Sequence, residues 1–123
     1  MKTAVTGSEP SGSYSPGVLA EGRYLFVSGQ GPLRGDEVIG DDIATQTRAT
    51  LENVRAVVES AGLTMADVVR CGVFLADLDD FDRMDEVYRE YFPEPLPART
   101  TVGAGLLGIL VEIDCVAVAP SDG

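Results

Sequence analysis

The chain has 123 residues, 45% of them hydrophobic, and sets twenty acidic side chains against nine basic ones for a net charge of -11. That length makes one domain of ordinary globular composition, and no apolar run nears the roughly 18 residues of a membrane span. Such an acidic surface repels a phosphate backbone, and the bases are scattered from Lys2 to Arg99, so neither nucleic acid nor membrane is an expected partner. Histidine is absent, which excludes a Ser/His/Asp triad, a His-Glu-x-x-His zinc site and any imidazole base. Acid–base chemistry is left to carboxylates, tyrosines or held water. With Lys2 as the only lysine, Schiff-base chemistry is disfavoured, and no Gly-x-x-x-x-Gly-Lys loop points to a nucleotide. The N-terminus lacks the apolar core of a secretory signal, so a cytoplasmic setting is expected. Cys71 and Cys115 each lie in an apolar strand pattern and read as small buried hydrophobes rather than a disulfide.

Residues 1–16, rich in Ser, Gly and Pro, predict a short edge strand near Lys2 to Val5, then a loop carrying Ser13-Tyr14-Ser15-Pro16. A hairpin is expected next, with Gly17 to Ala20 and Tyr24 to Ser28 as its strands and Glu21-Gly22 as its turn. The run Ser28-Gly29-Gln30-Gly31-Pro32 breaks the second strand and brings bare backbone groups to the surface; on local pattern alone it is an ordinary turn.

From Asp41 to Ala61 the spacing predicts a helix: Ile43, Thr47, Leu51, Val54 and Val58 share one face, Asp41 or Asp42 caps the start, and Gly62 ends it. Arg48, Glu52, Arg55 and Glu59 form its solvated side. Asp67 to Ala76 is apolar on both sides and belongs inside a sheet, with Val69, Cys71, Val73 and Leu75 on one face and Val68, Phe74 and Ala76 on the other. A second helix is predicted from Asp79 or Asp80 to Phe92, stopped by Pro93 and Pro95, with Phe81, Met84, Val87, Tyr88 and Tyr91 at core spacing.

The last two extended segments carry the chemistry. Leu110 to Ala119 has the composition of a buried strand, yet Glu112 and Asp114 interrupt it; period two puts both acids on one face, opposite Val111, Ile113 and Cys115. Arg99 lies just upstream in Ala98-Arg99-Thr100-Thr101-Val102, so a guanidinium and a carboxylate on neighbouring strands are expected to share one cleft. The pair is open to two interpretations, a substrate site or a structural ion pair at a subunit seam. Asp114 is read as a hydrogen-bond acceptor. Two helices on one face of a mixed sheet give an α+β domain whose other apolar face is bare, which implies an oligomer with clefts between neighbouring copies.

Over nearly its whole length the chain resembles the RidA (YjgF) family of enamine/imine deaminases. The matching pieces, in order, are Ser13-Tyr14-Ser15, Val27-Ser28-Gly29-Gln30-Gly31-Pro32, Leu51-Glu52-Asn53-Val54 and Phe74-Leu75-Ala76-Asp77-Leu78, then Val87-Tyr88-Arg89-Glu90-Tyr91-Phe92, Pro97-Ala98-Arg99-Thr100 and Val111-Glu112-Ile113-Asp114. The resemblance implies a homotrimer of chorismate-mutase-like subunits, a mixed sheet with two helices packed on one face, and three interfacial clefts. It also implies hydrolysis of reactive 2-imino or 2-enamino acids, such as 2-aminoacrylate, to 2-oxo acids and ammonia without metal or cofactor.

In that chemistry Arg99 grips the substrate carboxylate, Glu112 activates water and returns a proton to ammonia, and Tyr14 donates a hydrogen bond. Backbone at Gly29 and Thr101 and the Ser28 side chain line the pocket, and Asp85 and Tyr88 of the second helix are further candidate contacts. Several positions depart from the family pattern. Thr101 stands where many members have cysteine, Pro16 replaces glutamine, Asp85 replaces asparagine, and the Arg99 to Glu112 connection is short and lacks Leu-Pro. A charge at Asp85 would disfavour acidic substrate side chains. The alternatives are a non-catalytic protein that holds or senses a small carboxylate, and a pathway-specific deaminase of an aminomuconate-like or pyrimidine-degradation intermediate.

Overall fold

The computed structural model describes residues 1–120 and has the expected α+β order. Its centre is a four-stranded sheet in the order β3-β8-β6-β7, formed by Arg23–Gln30, Val111–Ala119, Val68–Leu75 and Ala98–Gly103. β8 runs antiparallel to both β3 and β6, while β6 and β7 are parallel. The two inner strands are the apolar ones, as burial on both faces requires.

α1 (Ile43–Ser60) and α2 (Phe81–Arg89) lie together on one face. Leu51, Val54 and Val58 of α1 and Met84 and Tyr88 of α2 are fully buried with Cys71, Val73 and Leu75 of β6 and Val111 and Ile113 of β8. Asp42 caps α1 by accepting from Thr45 N–H at 2.7 Å, and Gly62, at φ +79°, follows its last turn. α2 stops at Arg89, short of the predicted Phe92. Tyr91 and Phe92 continue as tight turns, bonded to Tyr88 and Arg89, because Pro93 bars the residue before it from a full helical turn.

Three expectations are corrected. Gly17–Ala20 (β2) does not pair with the strand that follows it; it pairs with β1 (Lys2–Val5), and β3 pairs instead with β8. Gly22 makes the separation possible: its φ of +142° carries the chain against Ala119, where a side chain would collide with the β8 backbone. In β6 an irregularity between Val68 and Arg70 reverses the first residues, so that Val68, opposite Ala117, belongs to the helix-side core and Val69 does not. The third concerns 28–30, where β3 does not end. It runs to Gln30 through a bulge at Ser28-Gly29, and a small hairpin, β4 (Leu33–Arg34) with β5 (Glu37–Val38), follows.

The other face of the sheet lacks helices. Phe26 is 75% exposed and Tyr24 47%, with Val102 also open, and Phe26 lies opposite Val116 while Phe74 lies opposite Val102. This leaves an exposed apolar patch on the face away from the helices.

Two polar side chains on the inner part of α1 tie the loops around the sheet. Buried Gln46 donates to Gly40 C=O at 3.0 Å and accepts from Leu110 N–H at 2.8 Å, which fixes the entry to β8. Asn53 donates to Gly31 and Leu33 carbonyls at 2.9 and 2.8 Å, and so holds the segment after the β3 bulge. Gln46→Leu leaves the Leu110 N–H and the Gly40 carbonyl unpaired. It is expected to destabilise the fold by about 1–3 kcal/mol, measured by urea denaturation with an unchanged m-value.

Candidate functional site

Arg99 is the most unusual side chain in the structure. β7 pairs it with Cys71, which turns it toward the helices rather than the open face, and its side chain is only 1% exposed. Its guanidinium carbon lies 4.7 Å from the ring centroid of Tyr88, 5.3 Å from that of Tyr14 and 5.4 Å from that of Phe81. Three aromatic faces thus cup one cation. The counter-charge is Asp85, one turn before Tyr88 on α2, whose Oδ1 accepts from Arg99 Nη1 at 2.5 Å. Asp85 also accepts from Ser13 N–H at 3.2 Å and from Ser13 Oγ at 2.8 Å. Ser15 completes the loop anchor by donating N–H to Pro97 C=O at 3.1 Å and Oγ to Leu96 C=O at 2.5 Å.

One edge of the guanidinium is left over. Arg99 Nε and Nη2 are both buried without a hydrogen-bond partner. These two nitrogens form the side-on fork that receives a carboxylate through parallel N–H···O bonds. Gly12 lies against the fork, so close that a methyl there would come within 2.8 Å of Nη2. Thr101 is on the same face two residues along, and its Oγ1 is likewise buried without a partner. β7 is an edge strand, so alternate backbone groups also point away from β6.

Glu112 is elsewhere. Its partner across the ladder is Phe74, on the face away from the helices, and β6 lies between β8 and β7. Arg99 and Glu112 therefore stand on opposite sides of the sheet and two strand spacings apart, about 10 Å. The expectation that neighbouring strands bring them into one cleft fails for a single copy, and they form no ion pair with each other. Glu112 instead lies against Gly29, which follows Ser28 in the β3 bulge: a Cβ on Gly29 would collide with the Glu112 carboxylate and displace it. Asp114 is an acceptor, as expected, taking the Gly72 N–H at 3.0 Å.

The eight candidates thus fall into two half-sites. Arg99, Asp85, Thr101, Tyr14 and Tyr88 make one, and Glu112, Ser28 and Gly29 the other. Tyr88 is fully buried behind Arg99, and its phenol is pushed well above the usual tyrosine value, first by burial and then by Cys71, so it stays protonated. Tyr14 has the opposite bias: contacts from Ser11 Oγ and then Ser11 N–H lower its pKa. Cys71 and Cys115 are free and buried. Their mutual contact, then burial, pushes the Cys115 thiol far up, so it is no nucleophile. Gly12 is not singled out from sequence; Ser13 appears only in the Ser-Tyr-Ser motif, and Phe81 only as part of the second helix's core stripe. Hollows on a single copy, about 260 Å³ beside Leu33, Arg48 and Asn53 and about 130 Å³ beside Tyr24 and Leu63, include neither Arg99 nor Glu112. Among the described residues no cluster of three His, Cys, Asp or Glu is placed to hold a metal, and no helix is long and apolar enough to cross a membrane.

Residues 6–119 match the family model described as endoribonuclease L-PSP. A RutC-family protein of Pyrococcus horikoshii is 42% identical over 113 residues, covering 89% of each chain. The mitochondrial protein mmf2 of Schizosaccharomyces pombe is 40% identical over 111 residues, covering 86% of this chain and 87% of its own. Among solved structures, Escherichia coli TdcF with bound serine superposes with a TM-score of 0.74 at 35% identity, over 95% of this chain and 94% of that one.

Removing the counter-charge tests the arrangement around Arg99. Asp85→Ala strands a guanidinium that is 1% exposed and frees the Ser13 loop, and a loss of about 3 kcal/mol in chemical denaturation is expected.

Proposed function

Because the chain belongs to the endoribonuclease L-PSP family, the RidA (YjgF) family, we propose that it hydrolyses 2-imino and 2-enamino acids to 2-oxo acids and ammonia. The observation that carries this is the unpartnered Nε/Nη2 edge of Arg99, two buried donors aimed to take one carboxylate. Serine, the ligand of TdcF, has a carboxylate beside a carbon bearing nitrogen, the same two groups as a 2-imino acid.

Arg99 holds the carboxylate and so orients the imine carbon beside it. Glu112 takes a proton from water as the water oxygen adds to that carbon and passes it to the imine nitrogen, giving a carbinolamine. The carbinolamine O–H proton then moves by way of Glu112 to nitrogen as the C–N bond breaks, leaving R–CO–COO⁻ and ammonia. Tyr14 Oη donates to the substrate. Ser28, the Gly29 backbone and the Thr101 backbone line the space between. Neither a metal nor an organic cofactor enters these steps.

Since one copy keeps Arg99 and Glu112 on opposite faces, the cleft is proposed to form between copies, Arg99 from one and Glu112 from the next. The exposed Phe26, Tyr24 and Val102 supply the apolar contact for such an assembly, and a cyclic homotrimer is the form proposed. The cytoplasm is the proposed setting, beside the mitochondrial one in the name of mmf2.

The test generates 2-imino acids in situ with an amino-acid oxidase and traps what survives with semicarbazide. Wild type is expected to lower the trapped product, and Arg99→Lys, which keeps charge but loses the fork, to reduce kcat/KM at least ~10-fold. Unchanged trapping with wild type would overturn the deaminase reading and leave a protein that only holds a carboxylate. Tyr14 adds a pH signature. If its phenol donates, activity is lost as pH rises through a pKa below tyrosine's usual value of about 10, and Tyr14→Phe, slower throughout, lacks that alkaline limb.

A further inference from the structure

The acid beside the fork bears on which imines enter. We infer that Asp85 makes the site selective for imines of monocarboxylic amino acids and against those with a second acid group; this rests on the deaminase reading above.

Asp85 is 18% exposed in its side chain and holds Nη1, so the pair it makes with Arg99 carries no net charge. A substrate carboxylate at Nε and Nη2 therefore already brings the group to a net charge of -1. Among the described residues α2 offers no second cation for a second carboxylate: Arg83 and Arg89, its other bases, are mostly exposed and paired with Glu86 at 2.7 Å and Glu94 at 3.6 Å. The rest of the cup is Tyr14, Phe81 and Tyr88, which favours an uncharged side chain. A dianionic imine would bring its distal carboxylate near Asp85, and, in the proposed assembly, near Glu112 of the next copy. At ~7 Å and an effective dielectric constant of ~20, one such repulsion reduces binding roughly 10- to 100-fold.

Asparagine at this position removes the charge while keeping the contacts. Its Oδ1 still accepts from Arg99 Nη1 and Ser13 N–H, and its amide N–H₂ donates to Ser13 Oγ, which reverses its role. The experiment compares kcat/KM for the imines of leucine and glutamate, each made in situ, in wild type, Asp85→Asn and Ser13→Ala. Wild type is expected to prefer the leucine-derived imine by roughly 10- to 100-fold, Asp85→Asn to bring the ratio near one, and Ser13→Ala, which keeps the charge, to retain the preference. A ratio unmoved in Asp85→Asn, or one that collapses equally in Ser13→Ala, would overturn the inference.

Calorimetric binding of butyrate and succinate to wild type supplies an arm that needs no turnover and no variant. Tighter binding of butyrate supports the assignment even where imine hydrolysis fails, and equal or tighter binding of succinate refutes it even where hydrolysis succeeds.

Discussion

Successive residues of a β-strand point to opposite faces, and that alternation governs everything at this site. Arg99 follows Cys71 toward the helices, and Glu112 follows Phe74 away from them. No side-chain rotation brings the two together across a sheet with β6 between them. A cleft that uses both must be closed by a second molecule. The same alternation leaves Phe26, Phe74, Val102 and Val116 on the face that carries Glu112, so the exposed apolar surface also bears the carboxylate.

The Arg99 half-site shows how a cation is kept inside a small domain. Burying a guanidinium is costly unless it is paired and bonded, and here Asp85, three aromatic rings and the Ser13 loop share that task. Two of its nitrogens are nevertheless left without acceptors. A purely structural ion pair would satisfy them, since buried donors without partners are rare. Those two free donors are what the proposed carboxylate would take.

Much of the fold was legible because the apolar periods were strong. The face of α1 at Ile43, Thr47, Leu51, Val54 and Val58 is buried as its spacing predicts, and the acids of β8 do sit opposite Val111, Ile113 and Cys115. What misled was pairing. A tight Glu21-Gly22 turn reads locally as a hairpin, but Gly22 uses its freedom to cross the end of β8, and β3 finds its partner some ninety residues later. The bulge in β6 could not be seen either, because Val68 and Val69 are chemically alike and a one-residue shift exchanges their faces. At the site, residue types were readable and their company was not. Arg99 reads as facing the acids of the last strand, yet its partner proved to be Asp85, on a helix predicted mainly for its core stripe, and Ser13 joined through a loop with no periodicity to read.

The division of the site between molecules is tested most directly by complementation. Arg99→Lys and Glu112→Gln chains are each prepared, then mixed by co-expression or by unfolding and refolding together, and assayed for imine hydrolysis. If each cleft takes its guanidinium from one copy and its acid from the next, random mixing at equal amounts rebuilds intact clefts in about one case in four, whatever the ring size, and activity returns to about a quarter of wild type. Mixed assemblies no more active than the separate variants would contradict a shared cleft.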